Sequence, residues 1–158
     1  MLTLYDFPTE FTGDIERVYK ATLRYFGQRD IFEVEACNVS KGRIKKINRD
    51  TRGIDKATDV LSYPNLANVS FPIKKSGYKS DINPETGLIV LGEIVVCYDK
   101  IAEQAREFGH GERRECCYLF LHGLLHLFGF DHENDADKAK MRNAEEEILK
   151  GIAERRGL

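Results

Sequence analysis

The sequence predicts a single layered domain of the α/β (α+β) class, in which a small mixed sheet packs with helices around one buried central helix. Three observations predict it. The 158 residues are the length of one domain and are enough to bury a core. The chain combines segments of strand periodicity with segments of helical periodicity and shows no internal repeat, so residues 1–158 are predicted to form one domain. The helical segment 112–128 is apolar nearly all round from Cys116 onward, which is typical of a buried helix.

The first half of the chain predicts two strands and two helices. Residues 2–5 form the first predicted strand, and a helix follows from an N-cap at Thr12 to about Gln28. Residues 31–37 alternate between apolar and acidic side chains, which predicts a half-buried strand. Ser40 is placed to cap a short basic helix that ends near Asp50.

The second half predicts two strands separated by a long connection. Residues 58–63 form a strand that Pro64 ends, and residues 88–97 form a continuous apolar strand that we expect at the centre of the sheet. Residues 65–87 are polar and rich in proline, glycine, serine and asparagine. This composition predicts a long mobile loop or an insertion, which is uncommon inside a small domain and often functional.

Three helices complete the predicted domain. The first begins with a cap at Asp99 and reaches Phe108, where Gly109 ends it. The second is the apolar segment 112–128. The third begins after Asn134 or Asp135 and runs to about Arg155.

Composition is ordinary for a globular protein, with 42% apolar and 32% charged residues. No apolar run approaches the ~20 residues that a membrane span needs. The first residues have neither the basic nor the apolar region of a secretory signal, so we expect a cytoplasmic protein without a membrane partner. The four cysteines match no zinc ribbon and no CxxC motif, and we interpret them as buried apolar side chains in a reducing compartment. They are Cys37, Cys97, Cys116 and Cys117.

Charge is uneven along the chain. The net charge is −2, which argues against a polycation that coats nucleic acid. Between residues 41 and 56, however, the basic residues outnumber Asp50 and Asp55. Such a basic face is compatible with a phosphate-bearing ligand, although a solvated helix face explains the same run. The basic residues are Lys41, Arg43, Lys45, Lys46, Arg49, Arg52 and Lys56.

Three of the four histidines lie in the segment HGLLHLFGFDH. His122 and His126 are four residues apart on a predicted helix, so their rings lie one above the other on the same face. His132 would lie on another face if the helix continued. Gly129 is placed to end the helix in the left-handed conformation, after which the chain returns His132 toward the first two.

Three imidazoles that converge on one point predict one zinc ion per chain. The fourth coordination position of the zinc is then left for water or substrate. The alternative is a set of core histidines with hydrogen-bond partners, but three such groups in an apolar run would be costly to bury. A closed structural site would need a fourth protein ligand, and His110 is a spare candidate.

The spacing of the three histidines and the glycine matches that of metzincin peptidases, HExxHxxGxxH. Gly123 stands where those enzymes have their glutamate base, which argues against an ordinary metalloprotease. Asp131 and Glu133 flank His132. Asp131 is a candidate to orient a ligand imidazole or to cap the next segment, and Glu133 is a candidate base or an exposed carboxylate.

The segment HGLLHLFGFDH, together with TDVLSYP at 58–64 and LGEIVV at 91–96, resembles the YbeY family of bacterial ribosomal RNA maturation factors. The family pattern is similar to HGxLHLxGYDH, preceded by NxxxR…TDVLSFP and LGDIxI. The resemblance covers the chain from about Asn48 to the end of the histidine motif. The departures from it are Glu93 for Asp, Phe130 for Tyr, Ala57 for Pro and a loop at 65–87 that is long for the family, and none of these involves a histidine.

The resemblance implies an α/β domain whose central helix presents a zinc site. It implies a single-strand-specific endoribonuclease that acts in maturation of small-subunit ribosomal RNA and in ribosome quality control. The implied partners are single-stranded RNA and the ribosomal small subunit with its rRNA. The zinc ligands of the family fall on His122, His126 and His132, and its functionally important arginine falls on Arg52.

Three functions stay open at this point. In a metal-dependent ribonuclease, Arg52 would hold the scissile phosphate, and RNA would supply its own 2′-hydroxyl nucleophile, so Gly123 is tolerated. The neighbouring phosphates would contact Lys41, Arg43, Lys45, Lys46 and Arg49. The second function is zinc-dependent hydrolysis of a peptide or ester bond. The third is a ribosome-associated binding factor with a structural zinc ion.

Overall fold

Four strands form one mixed sheet in the computed structural model, which describes residues 1–109 and 111–153. They are β1 (Leu2–Tyr5), β2 (Phe32–Asn38), β3 (Val60–Pro64) and β4 (Ile89–Val96), in the spatial order β1-β2-β4-β3. The first three in that order are parallel, and β3 is antiparallel to β4 at one edge. The apolar strand β4 is therefore central, as predicted.

Five helices pack on this sheet within the described residues. They are α1 (Thr9–Tyr25), α2 (Lys41–Arg52), α3 (Tyr98–Phe108), α4 (Glu112–Leu127) and α5 (Asp135–Leu149). The prediction of an α/β domain with a small mixed sheet is confirmed.

The two faces of the sheet have separate apolar cores. Side chains of α2 cover one face, where Ile44 packs with Leu61, Val95 and Cys97. The other face contacts α4, whose neighbours are α1, α3 and α5. Nine residues of α4 are buried, so the prediction of a buried central helix is confirmed.

Two helix starts differ from the prediction. α1 begins at Thr9 rather than after Thr12, because Pro8 occupies the N-cap position and its carbonyl accepts from the Phe11 N–H at 3.0 Å. α3 begins at Tyr98, and Asp99 lies in its first turn, where a negative charge favours the helix dipole, rather than at the cap.

Three other predicted helix caps agree with the structure, whereas α1 ends at Tyr25 rather than near Gln28 and α2 ends at Arg52 rather than near Asp50. Ser40 accepts from the Arg43 N–H, Asn134 accepts from the Asp137 N–H, and Gly109 has a φ of +68°. α5 ends at Leu149, so the predicted end near Arg155 is wrong: Lys150 leaves the helical conformation with a ψ of 127°, and residues 150–152 form turns.

The connection at 65–87 packs against the body of the domain at several points. It contains two turns of 3₁₀ helix, and Leu66 and Ile73 are buried. The Gln28 side chain both donates to and accepts from the backbone of Ile73, at 2.9 Å each. The connection is thereby tied to the C-terminal end of α1.

The four cysteines are free thiols, of which Cys37 is partly exposed and the other three are buried. None of the helices in the described part of the chain has the length and apolar character to cross a membrane.

Candidate metal centre and active-site cleft

The rings of His122 and His126 meet on one face of α4. Their Nε2 atoms lie 3.2 Å apart. This is close to the ~3.3 Å that separates two nitrogens bound at about 2.0–2.1 Å to one tetrahedral zinc ion. The ring of His132 lies 5.5 Å from that of His122 and 5.1 Å from that of His126, measured between ring centroids. One nitrogen of each ring lies within 4.8 Å of the others, so the three histidines form a group that can hold a metal ion.

A tight turn after α4 brings His132 to this point. Gly129 has a φ of +92°, which is the left-handed turn that the sequence predicts. Its N–H donates to the His126 carbonyl, and the Phe130 N–H donates to the Leu125 carbonyl, each at 3.0 Å. These two hydrogen bonds are the pair that closes a Schellman motif, so the chain reverses directly beside the last helical histidine.

The outer nitrogens of the two helical histidines have partners that set the orientation of each ring. The Nδ1 of His126 lies 2.9 Å from the Phe130 carbonyl oxygen, and the Nδ1 of His122 lies 3.4 Å from Oε2 of Glu145. When Nδ1 carries the proton and donates outward, the lone pair of Nε2 faces the shared point. Burial, with a smaller effect of His122, lowers the pKa of His126, so this imidazole is neutral at pH 7.

Sequence reasoning missed Glu145. Its side chain is only 7% exposed although it is a carboxylate on α5. The sequence does contain a signal for it, because Glu145 lies inside the apolar stripe that Met141, Ala144 and Ile148 form at helical spacing. A charged residue in a buried stripe needs a buried partner, and here the partner is a histidine.

The three histidines line a cleft of about 630 Å³, which we call the histidine cleft. One wall comes from the C-terminal end of α2 and from β3, and α4 forms the opposite wall. Its lining residues are Arg52, Asp59, Val60, Leu61, Ser62, Pro64, Tyr118, Leu119, His122, His126, Asp131 and His132.

Arg52 lies in this cleft together with the histidines. Its side chain is exposed, and no hydrogen bond or ion pair to its guanidinium occurs within residues 1–109 and 111–153. Two ionisable residues of the cleft were missed by sequence reasoning, although Asp59 lies in the TDVLSYP segment and Tyr118 precedes His122 by one helical turn. Burial and the nearby Glu145 raise the pKa of Tyr118, so its phenol keeps its proton.

The two carboxylates that flank His132 differ in position. Asp131 lines the histidine cleft, and its Oδ1 accepts from the backbone N–H of His132 at 2.7 Å. It therefore contacts the backbone of the turn, whereas the N-cap of the following helix is Asn134. Glu133 is exposed and is not among the residues of the cleft.

The basic residues of 41–56 do not all face the histidine cleft. Only Arg52 among them lines it. At ~100° per residue, Lys45 and Lys41 lie within about 20° of Arg52 around α2, and Arg49 within about 60°. Arg43 and Lys46 lie about 180° and 120° away from Arg52.

Two of these side chains are paired with carboxylates. Lys41 pairs with Glu103 on α3, and Arg49 lies 3.5 Å from Asp50 and 3.9 Å from Asp55. His110, the spare candidate ligand, lies outside the described residues.

Comparison with known proteins gives one consistent result. Residues 5–153 match the family model described as Endoribonuclease YbeY. A Clostridium botulinum protein named Endoribonuclease YbeY is 40% identical over 153 residues, which are 93% of this chain and 91% of that protein. A Clostridium kluyveri protein of the same name is 48% identical over 122 residues, 75% of this chain and 74% of that protein.

A solved structure supports the same fold. The solution structure of a Thermotoga maritima protein superimposes with a TM-score of 0.59 at 25% sequence identity. The match covers 95% of this chain and 90% of that protein.

Proposed function

Since the chain belongs to the endoribonuclease YbeY family and is therefore an RNA-cleaving hydrolase, we propose that it cuts single-stranded RNA at one zinc ion held by His122, His126 and His132. Processing of ribosomal RNA follows from the family. We further propose that the substrate is the RNA of the small ribosomal subunit, and that residues 1–158 act as one hydrolase domain in the cytoplasm. The observation that carries the proposal is the 3.2 Å separation of two histidine nitrogens in one cleft with Arg52, which has no carboxylate partner among residues 1–109 and 111–153.

The donor set supports zinc. Neutral imidazoles suit zinc, and three protein ligands leave a position open for substrate. In the described part of the chain, no cysteine or carboxylate joins the three histidines as a fourth ligand, which weighs against a closed structural site. When bound, zinc would polarise a phosphoryl oxygen and offset the charge that develops on it.

Arg52 is suited to hold the scissile phosphate. A guanidinium offers several N–H donors in one plane and matches the geometry of phosphate oxygens. Because Arg52 is not engaged by a carboxylate in the described residues, its donors are available to a ligand in the histidine cleft. The same donors would stabilise the extra negative charge of the transition state.

The flank of α2 that carries Arg52 is suited to the neighbouring phosphates. Lys45 lies on that flank and is exposed, so it extends the positive surface away from the histidine cleft, whereas the exposed Arg49 shares its charge with Asp50 and Asp55. Lys41 lies farther along the same flank and shares its charge with Glu103. Arg43 and Lys46 lie on other sides of the helix and would contribute only through the long-range field.

A peptidase is less well supported. A Cβ on Gly123 would lie 3.1 Å from Cγ2 of Ile94 and 3.4 Å from Cγ2 of Val60. The space beside residue 123 is therefore filled by the sheet, and the glutamate base of a metzincin would not fit there without a shift. RNA carries its own nucleophile, so no glutamate is needed at position 123 to activate a water: the 2′-hydroxyl gives its proton to solvent and forms the new P–O bond, while the bond to the 5′-oxygen breaks and that oxygen takes a proton from solvent.

The test uses purified protein with a short single-stranded RNA, with zinc bound and after its removal by a chelator. We expect His126→Ala to lose zinc and cleavage together. We expect Arg52→Ala to keep zinc but to cut about 100- to 1,000-fold more slowly, as is typical when one donor to a developing oxyanion is removed. Arg106→Ala, at an exposed position on α3, is the matched control and should cut at the wild-type rate.

Two further substrates sharpen the test. The same RNA annealed to its complement should resist cleavage, and a 2′-deoxy nucleotide at the cleavage site should block it. Cleavage that persists in both His126→Ala and Arg52→Ala would show that the active site lies elsewhere.

A further inference from the structure

A second, smaller hollow adjoins the histidine cleft. Its volume is about 240 Å³, and Asp131 lines both spaces, so the two are neighbours at that residue. We call it the aromatic hollow. Its lining residues are Phe26, Val69, Phe71, Phe128, Gly129, Phe130, Asp131, Asp137 and Lys140.

Three chain segments that are distant in sequence build the aromatic hollow. Phe26 follows α1, Val69 and Phe71 belong to the connection at 65–87, and Phe130 belongs to the turn that carries His132. A Cβ on Gly129 would lie 3.2 Å from Cβ of Val69, so the connection packs directly on that turn. The connection that the sequence singles out as unusually long thus forms a wall beside the metal centre.

The walls are aromatic and partly exposed. Phe26 and Phe71 stack with a centroid distance of 4.4 Å and an interplanar angle of 9°. Phe130 lies 5.5 Å from Phe26, and Phe128 closes the inner side at 5.7 Å from Phe26. Phe128 is fully buried, whereas Phe26, Phe71 and Phe130 are only partly buried.

Polar groups stand at the rim of the aromatic hollow. Nζ of Lys140 lies 5.5 Å from the centroid of Phe130, within the range of a cation–π contact. Asp131 and Asp137 are the two acidic residues that line the aromatic hollow. Such a surface is complementary to a flat ring with polar groups at its edge. The aromatic side chains can stack on the ring, the lysine can donate to a ring carbonyl, and the carboxylates can accept from a ring amino group.

We propose that the aromatic hollow binds one unpaired nucleobase of the RNA, from a nucleotide next to the phosphate held in the histidine cleft. Bases stack on aromatic side chains in most single-strand RNA recognition. The volume is below the ~300–1,000 Å³ typical of pockets for whole drug-sized ligands, which suits a single ring system. A base can enter only when it is neither paired nor stacked in a helix, so the hollow gives a physical reason for single-strand preference.

This inference rests on the proposed function. Its test has two arms, a cleavage assay and a binding assay that does not need cleavage. In the first arm, zinc-loaded protein cuts a set of RNAs in which one abasic nucleotide is moved along the sequence. We expect an abasic nucleotide beside the cleavage site to lower kcat/KM roughly 5- to 150-fold, the range typical of losing one base–aromatic stack.

Phe71→Leu is the test variant, because leucine keeps an apolar side chain on the connection but removes the aromatic face. It should lower kcat/KM on intact RNA by a similar factor and should cause little further loss on the sensitive abasic RNA. The matched control is Phe108→Leu on α3, since Phe108 is 63% exposed and lies outside both spaces. If Phe71→Leu lowers kcat/KM by the same factor on abasic RNA as on intact RNA, the two losses are independent and the proposal is overturned. It is also overturned if no position of the RNA is sensitive to an abasic nucleotide.

The second arm measures binding to metal-free protein. An RNA with 2-aminopurine at the sensitive position, or at each position in turn, should lose fluorescence on binding because the base stacks, and Phe71→Leu should restore the fluorescence. If wild-type protein quenches no position, the aromatic hollow does not bind a base. If wild-type protein cuts no RNA while the quenching is present and depends on Phe71, the proposed function fails and the binding site stands.

Discussion

At the scale of single residues, the partners of the histidine Nδ1 atoms decide which nitrogens face the candidate metal centre. His126 is oriented by a backbone carbonyl, that of Phe130, which no substitution removes. His122 is oriented by a side chain, the buried carboxylate of Glu145 on α5. A carboxylate behind a ligand histidine fixes the tautomer and makes the imidazole a stronger donor. Glu145 is therefore the residue at which this orientation can be tested.

We expect Glu145→Gln to weaken zinc binding about 10- to 100-fold while the domain stays folded, because the amide keeps the shape but loses the charge. Competition with a chromophoric chelator at neutral pH measures the affinity. Glu146→Gln changes the exposed neighbour on the same helix and should bind zinc like the wild type. Equal affinities of the two variants would show that Glu145 does not act on the metal centre.

At the scale of elements, the approach of α4 to the sheet determines the geometry of the histidine cleft. Gly123 lies between His122 and His126 in sequence, and its missing side chain lets α4 contact Ile94 and Val60 directly. The sequence shows Gly123 only as a departure from the peptidase pattern. The structure gives it a packing role, since a Cβ there would already press on Ile94 and a longer side chain would meet β3 and β4.

Gly123→Leu should lower the free energy of unfolding by about 2 kcal/mol, because overpacking against the sheet exceeds the gain in helix propensity of about 1 kcal/mol. Gly13→Ala in the exposed interior of α1 meets no atom within 4 Å and should instead raise stability by about 0.5–1 kcal/mol. Urea unfolding monitored by circular dichroism measures both variants. A Gly123→Leu protein as stable as the wild type would refute the close packing of α4.

At the scale of the whole molecule, one ionic contact joins α1 to the start of α4. Asp14 is 5% exposed and accepts two hydrogen bonds from Arg113, at 2.6 and 2.9 Å, and another from Arg17. The hydrogen bond from Arg113 has the largest effect and, with Arg17, holds the pKa of Asp14 below its usual value despite burial. The contact spans 99 positions of sequence, so it stabilises the assembled domain rather than a local segment.

A carboxylate with a lowered pKa in the folded state stabilises the protein above its unfolded pKa, and this contribution is lost as the pH falls through the folded pKa. Asp14→Asn should therefore cost about 2 kcal/mol at pH 7, and the difference from wild type should shrink as the pH falls below about 4. Urea unfolding of metal-free protein at several pH values measures this. The exposed Asp50→Asn should change little at any pH. A penalty at pH 3 as large as at pH 7 would mean that the charge of Asp14 is not what stabilises the contact.

The sequence by itself determined the features that depend on short-range geometry. Helical spacing aligns His122 with His126, and a left-handed Gly129 returns His132 toward them. The apolar run of β4 predicts a central strand. Each of these three features involves only residues that are close together in the chain. Arg52 entered through the family resemblance rather than through spacing.

Only the tertiary structure decided what surrounds the three histidines. Glu145 reaches His122 across 23 positions, and Arg52 and Asp59 join the histidine cleft from α2 and β3. Phe71 reaches the same neighbourhood from the connection at 65–87. These contacts depend on the order of the strands and on how closely α4 packs, and both follow from burial of the whole core rather than from any local pattern.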